Sequence, residues 1–235
     1  MPYVQSNCTH QVQNFTTISA AFPSSVPVGS LIWVGVGWWD NSAPFADQVI
    51  SSVTGGTGNS YTAGTLRTHS NSQLRLQSYY CINQTAGQHT IQVDFDKAVG
   101  NRIFLFIVEV SNPDTSSPFI GESSNEVSVG SSVNSGSILV LSEATVLSMV
   151  IMLSGGRVIA TPTDHTTLDT PTTDLYEGAY REVAGGGSYN TTWTWTGGNA
   201  NAIVITDVIK AAGAAAPEEF FYPRIRTRGL NSRLN

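Results

Sequence analysis

The sequence predicts an all-β protein: an antiparallel β-sandwich, jelly-roll-like, built from two related half-units and followed by an extended C-terminal arm. Three observations carry this. Short runs alternate apolar with polar residues, and no window holds a 3.6-residue period. Turn chemistry recurs between the runs, at Gly55-Gly56, Asn83–Gly87, Val99–Asn101, Asn112-Pro113, Gly155-Gly156, Gly185–Gly187 and Gly197–Asn199. The later part of the chain also repeats the earlier part.

Taken in order, the predicted strands are Val12–Phe22, Ser30–Trp39, Ile50–Thr54 with Ser60–Ala63, Leu74–Ile82, His89–Phe95 and Arg102–Val110. They continue with Glu126–Val129, Ser137–Leu141, Val146–Leu153, Asp174–Val183, Tyr189–Thr196 and Ala202–Ile209. In HTIQVDF, Ile91, Val93 and Phe95 share one face; in NTTWTWT, Trp193 and Trp195 do so. RIFLFIVEV and LSMVIML are apolar on both faces, as central strands covered on both sides must be.

The repeat appears when YCINQTAGQHTIQVDFDKAVGNRIFLFIV is laid over YREVAGGGSYNTTWTWTGGNANAIVITDV without gaps. Tyr80 falls on Tyr180, Gly87 on Gly187, Val93 on Trp193, Phe95 on Trp195 and Ile103 on Ile203. Upstream, SLIWVGVGWW plays the part of TVLSMVIMLSGG. The expected organisation is an N-terminal segment over 1–11, a sandwich over 12–211 with halves at 12–111 and 126–211, and an arm over 212–235. Each half should bury one sheet face and depend on the other for a core, giving one domain.

Composition narrows the function classes. Hydrophobic residues make up 40% of the 235, enough for a core, and charged residues only 12%. The net charge of −6 is unevenly spread, because Arg224, Arg226, Arg228 and Arg233 crowd the last positions. MPYVQSNCTHQVQNF has neither the charged nor the apolar region of a signal peptide, and no run approaches the roughly 20 apolar residues of a membrane span. No membrane partner is expected. Cys8 and Cys81 are too few for a disulfide framework. Cys81 reads as a buried thiol, with a Cys8–Cys81 bridge as the alternative.

The order GSLIWVGVGWWD, ISSVTGGTGNSYTAG, LRLQSYYCINQTAGQHTIQVDF, IFLFIVEVSN resembles a β-sandwich type found in phage virion proteins and bacterial surface proteins. Its markers here are Thr57-Gly58-Asn59-Ser60-Tyr61, then Tyr79-Tyr80, then Ala86 through Phe95, echoed by GAYREVAGGGSYNTTWTW. The resemblance covers about residues 12–211. It implies capsid decoration, tail or fibre modules, or sugar-binding modules. It brings no catalytic residues.

Chemistry is sparse. His10, His69, His89 and His165 hold no ligand spacing, and no HExxH, CxxC or GxSxG occurs. Asp94 and Asp96 share a strand face and, with Asp164 or Glu122, could hold Ca²⁺, but no D-x-D-x-D-G loop supports this. No metal or other cofactor is expected. Glu109, Glu122, Glu126, Glu143, Glu177 and Glu182 are the carboxylates a glycosidase could pair, and each reads more simply as a strand-face charge. Trp38 and Trp39 point to opposite faces, so one could be an exposed platform for a sugar ring while the other fills the core.

The arm, with PEEFFYPRIRTRGLNSRLN, cannot bury Phe220, Phe221, Tyr222 and Ile225 against itself. Aromatics anchor in pockets, and Arg224, Arg226, Arg228 and Arg233 can grip carboxylates, so the arm is expected to join neighbouring subunits. Nucleic acid is not an expected partner, since an acidic body and Glu218-Glu219 oppose phosphate. The expected function is a non-enzymatic virion structural protein of a tailed phage. It would partner itself and a capsid or tail lattice, with host glycans as further partners if a Trp platform is exposed. The alternative is a carbohydrate-binding module using Trp38 or Trp39.

Overall fold

The computed structural model describes residues 3–39, 48–70, 73–153, 155–168 and 175–213. All strand pairs in it are antiparallel, and the described residues contain no helix. Strands β1 (Tyr3–Val12), β2 (Phe15–Ala21), β3 (Leu31–Trp39), β4 (Ile50–Thr54), β5 (Thr62–Ala63), β6 (Arg67–Thr68), β7 (Leu74–Ile82), β8 (Thr90–Val99) and β9 (Arg102–Val110) form the first half. Its larger sheet runs β1-β9-β3-β7, with β5 and β6 both on the far side of β7, and its smaller sheet runs β2-β8-β4. Apart from the short β5 and β6, which sit with β7 in the larger sheet, successive strands alternate between two sheets, a jelly-roll-like connectivity.

The second half comprises β10 (Phe119–Gly130), β11 (Ser132–Asn134), β12 (Ile138–Val140), β13 (Ala144–Met152), β14 (Val158–Ala160), β15 (Thr166–Thr167), β16 (Tyr176–Val183), β17 (Gly187–Tyr189), β18 (Thr192–Thr196) and β19 (Ala200–Lys210). Its sheets run β10-β19-β13-β16-β15 and β11-β18-β14, with an added β12-β17 pair. β10 stands where β1 stands, β13 for β3, β16 for β7 and β19 for β9. Each half is therefore a complete roll rather than one face of a shared sandwich.

Period-two alternation explains how two rolls become one body. In β3, Ile32, Val34, Val36 and Trp38 face the core of the first half with Ile91, Val93 and Phe95 of β8. Leu31 and Trp33 face the other way, into a seam shared with Leu147, Met149 and Ile151 of β13. Within the second half, Val150 and Met152 pack on Trp193 and Trp195. The doubly apolar strands are buried on both faces because each larger sheet lies between its own smaller sheet and the partner half. At two glycines a side chain would not fit this stack. A Cβ on Gly37 would come within 2.9 Å of Ile151 and Met149, and one on Gly178 within 2.9 Å of Phe106.

Two boundaries differ from the sequence expectation. Residues 1–11 contain most of β1, an edge strand of the larger sheet, and not a lead-in segment. Gln13 and Asn14 break the run with φ of 74° and 52°, a corner carrying no glycine to announce it. The gap-free overlay also fails at its last strand. Val93 and Trp193 both face inward, but Ile103 faces the first-half core while Ile203 faces the seam. The turn before β19 absorbs one residue, and a one-residue slip exchanges faces.

Cys8 and Cys81 are free thiols. They lie on opposite faces of the larger sheet, Cys8 toward the seam and Cys81 toward the first-half core, so the bridge is ruled out by geometry. The body has two poles. Tyr3, Leu31 and Val110 lie together beside the linker between halves, and Lys210 is there too, its Nζ 2.7 Å from Asp114. Val12, Trp39 and Arg102 lie together at the opposite pole.

Candidate functional site

The sequence-predicted residues fare differently. Phe220, Phe221, Tyr222, Arg224, Arg226, Arg228 and Arg233 lie outside the described residues. The point where the arm leaves the body is well defined, however. The Ala211 N–H donates to Glu143 O at 2.9 Å, the Ala212 N–H to Asn112 O at 3.0 Å, and the Lys210 N–H to Pro118 O at 2.7 Å. Asp114 accepts from Lys210 Nζ and from the hydroxyl and amide of Ser116, which hold its carboxyl well below the usual range. The arm is rooted in the linker between the halves.

Trp38 is fully buried, its ring edge-on to Phe95 at 5.4 Å, and cannot serve as a platform. The reason is the double covering of β3: the face opposite the seam is the first-half core. Trp39 is half-buried at the strand end, packed against the seam, and is the one of the pair that solvent reaches.

The calcium candidates are scattered. Asp94 accepts from Thr17 and Ser52, Asp96 from the Val49 N–H, Asp164 pairs with Arg181, and Glu122 with Arg67. The described residues hold no cluster of three or more His, Cys, Asp or Glu suited to a metal ion. The glutamates are likewise dispersed. Glu109 is buried under Gln5 Nε2 at 2.5 Å and Ser30 Oγ at 2.9 Å, and Glu177 is buried in the second half with its carboxyl pushed up to about 7 by desolvation.

The marker residues of the resemblance turn out to form a lock. Asn59 donates to Gly55 O and to Asn83 Oδ1, both at 3.0 Å, and accepts from the Gln84 N–H at 2.8 Å. Asn83, fully buried, donates to the carbonyls of Val26, Pro27 and Thr85. Gly56 (φ 75°) leaves the space that Asn59 fills, since a Cβ there would lie 2.4 Å from its Nδ2. These amides close the loop ends of the roll and are structural.

The densest chemistry lies along the seam, which no motif in the chain announces. Aromatic rings meet across it: Tyr3 stacks on Tyr180 at 4.1 Å, Tyr80 on Phe119 at 5.1 Å, and His10 sits 6.0 Å from Tyr176. Along one edge, β10 grips the segment around β6. Glu122 accepts from the Thr65 N–H at 2.8 Å and pairs with Arg67 Nε at 3.5 Å. His69 Nε2 meets Val127 O at 2.9 Å, and Glu126 takes the Ser70 amide at 2.8 Å together with its hydroxyl. Beside this contact opens a groove of about 220 Å³ lined by Arg67, Thr68, Ser124, Asn125, Glu126 and Ile203. Farther along the strand of Ile203, β19, Asp207 is fully buried and accepts from Trp33 Nε1 at 2.7 Å. Burial pushes its carboxyl up to about 7, with Glu122 adding to the rise against Ser78 and Trp33. Asp207 falls in register with Glu122 on β10, but nothing in TDVIK marks it as buried beforehand.

Comparison with family models, with curated proteins and with solved structures finds no match for the chain. The fold and these contacts define an all-β protein of antiparallel sheets packed as two sandwich-like halves.

Proposed function

We propose that the protein is a non-enzymatic structural component of a virion, of the decoration, tail or fibre kind found in tailed phages. It would join its neighbours, and a capsid or tail lattice, through the arm over 212–235. The observation that carries this reading is the rooted arm: two rolls fused face to face, with the chain exit hydrogen-bonded into the linker between them. Such a root transmits load from the arm to the whole body. Jelly rolls recur in viral capsids and in lectins, a warrant by analogy of fold. The resemblance to phage virion sandwiches points the same way, and the buried carboxyls are engaged in packing.

The test is the oligomeric mass of the full chain and of a 1–213 truncation, by light scattering at low and high salt. Association of the full chain alone supports the arm, salt sensitivity then assigning it to the arginines and salt resistance to the aromatics. Equal association of both proteins overturns the reading. A second reading, glycan binding, is favoured by the half-exposed Trp39 and by the groove with Arg67 and Asn125. Loss of signal on a glycan array with Trp39→Ala or Asn125→Ala would establish it, and no signal with the parent protein would end it.

A further inference from the structure

The seam holds one polar cluster whose atoms do not balance. Asp207 Oδ1 and Ser78 Oγ are buried oxygens without a geometric hydrogen-bond partner, and Glu122 Oε1 has none beyond its 3.5 Å ion pair with Arg67 Nε. Ser78 and Glu122 meet at Gly64, where a Cβ would lie 2.4 Å from Ser78 Oγ and 2.9 Å from Glu122 Oε2, and the Asp207 carboxyl feels both side chains. The residues come from both halves: Ser78 and Gly64 from the first, Asp207 and Glu122 from the second. With both carboxylates ionised, the hydroxyl of Ser78 is the one hydrogen among these three oxygens. A proton on Asp207 supplies a second donor and removes one of two like charges held on paired strands.

We propose that Asp207 is a proton-operated latch between the two halves, closing the seam when neutral and loosening it when ionised. The groups facing it are Trp33 of β3, which donates in either state, Ser78 of β7, and Glu122 of β10, itself tied to Arg67 of β6. Its strand neighbour on the other side is Leu147 of β13, which offers no charge. The upward displacement of its carboxyl to about 7 sets the range in which the latch would act. Opening exposes the carboxyl to water, where it ionises near its ordinary value of 3.8. Opening is then favoured roughly ten-fold more at pH 8 than at pH 6, with a plateau above pH 8.

The experiment is exchange of the Trp33 indole hydrogen in the full-length protein, followed by NMR from pH 5 to 9 and corrected for intrinsic exchange. The expected result is an increase of about ten-fold between pH 6 and 8, then a plateau, and a flat profile in Asp207→Asn. No increase in the parent protein, or the same increase in Asp207→Asn, would overturn the latch. Glu122→Gln gives an independent check should the first variant not fold. It removes the neighbouring charge, so the midpoint must move to lower pH, and an unmoved midpoint overturns the proposal. Glu177→Gln must leave the profile unchanged; abolition of the rise there would place the proton elsewhere.

Discussion

At the scale of single residues, the amides and indoles of this protein act as fasteners. Asn83, fully buried, donates to three backbone carbonyls through its two amide hydrogens. Asn83→Ala removes a buried donor from all three carbonyls, leaving Val26 O and Pro27 O only their long backbone bonds from Gly87 and Ser30, and should cost about 2 kcal/mol in urea unfolding; a loss below about 0.5 kcal/mol would show that those remaining partners suffice. Trp38 is a filler of the first-half core. Trp38→Ala should cost about 4 kcal/mol, as large-to-small changes at fully buried rings do. Trp39→Ala should cost far less, and parity between the two in the same denaturation series would contradict the assigned faces.

At the scale of elements, the decisive feature is the closeness of the two larger sheets. Gly178 admits Phe106 across the seam, so Gly178→Ala drives a methyl into the ring and should cost about 1–3 kcal/mol. Adding Phe106→Leu should recover part of that loss, which thermal denaturation of the single and double variants would reveal. The elements were legible in the sequence where alternation was strong. Strands β7, β8 and β18 follow from period two, and β3, β9 and β13 from continuous apolar runs, all bounded by turns. The two-residue strands β5, β6 and β15 have no pattern length to detect, and β1 hid behind a corner of Gln13 and Asn14. The repeat was legible up to Trp195. Beyond it, one residue of turn length reversed the facing of β19, a difference that composition does not record. Of the candidate sites, Trp38 and Trp39 were readable as opposite-facing, but which of them met water depended on the partner half. Asp207 and the grip of Glu122 and Glu126 on the β6 segment join residues distant in sequence, and only folding assembles them.

At the scale of the whole molecule, two buried carboxyls set the pH response. Asp207 and Glu177 are both displaced upward to about 7 by burial. In the unfolded chain each ionises near its ordinary value, so between roughly pH 4 and 7 the folded state binds more protons than the unfolded state. Stability must therefore fall as pH rises through that window, by a few kcal/mol in total. Urea midpoints should drop from pH 5 to pH 8, and the drop should vanish when Asp207→Asn and Glu177→Gln are combined. A midpoint that rises over that interval would show that other carboxylates dominate.

The polarity of the body carries a further consequence. Its first strand begins, its two halves are linked and its arm departs at one pole, while Trp39, the β8–β9 turn and the β18–β19 turn lie at the other. Should the arm anchor the molecule as proposed, the far turns would face outward, as a post presents its tip. A foreign epitope spliced between Gly198 and Asn199, in an exposed turn, would ride at the greatest distance from the mounting surface and remain open to antibody. The same splice in the linker near Asp114 would be shielded and would pry at the root of the post.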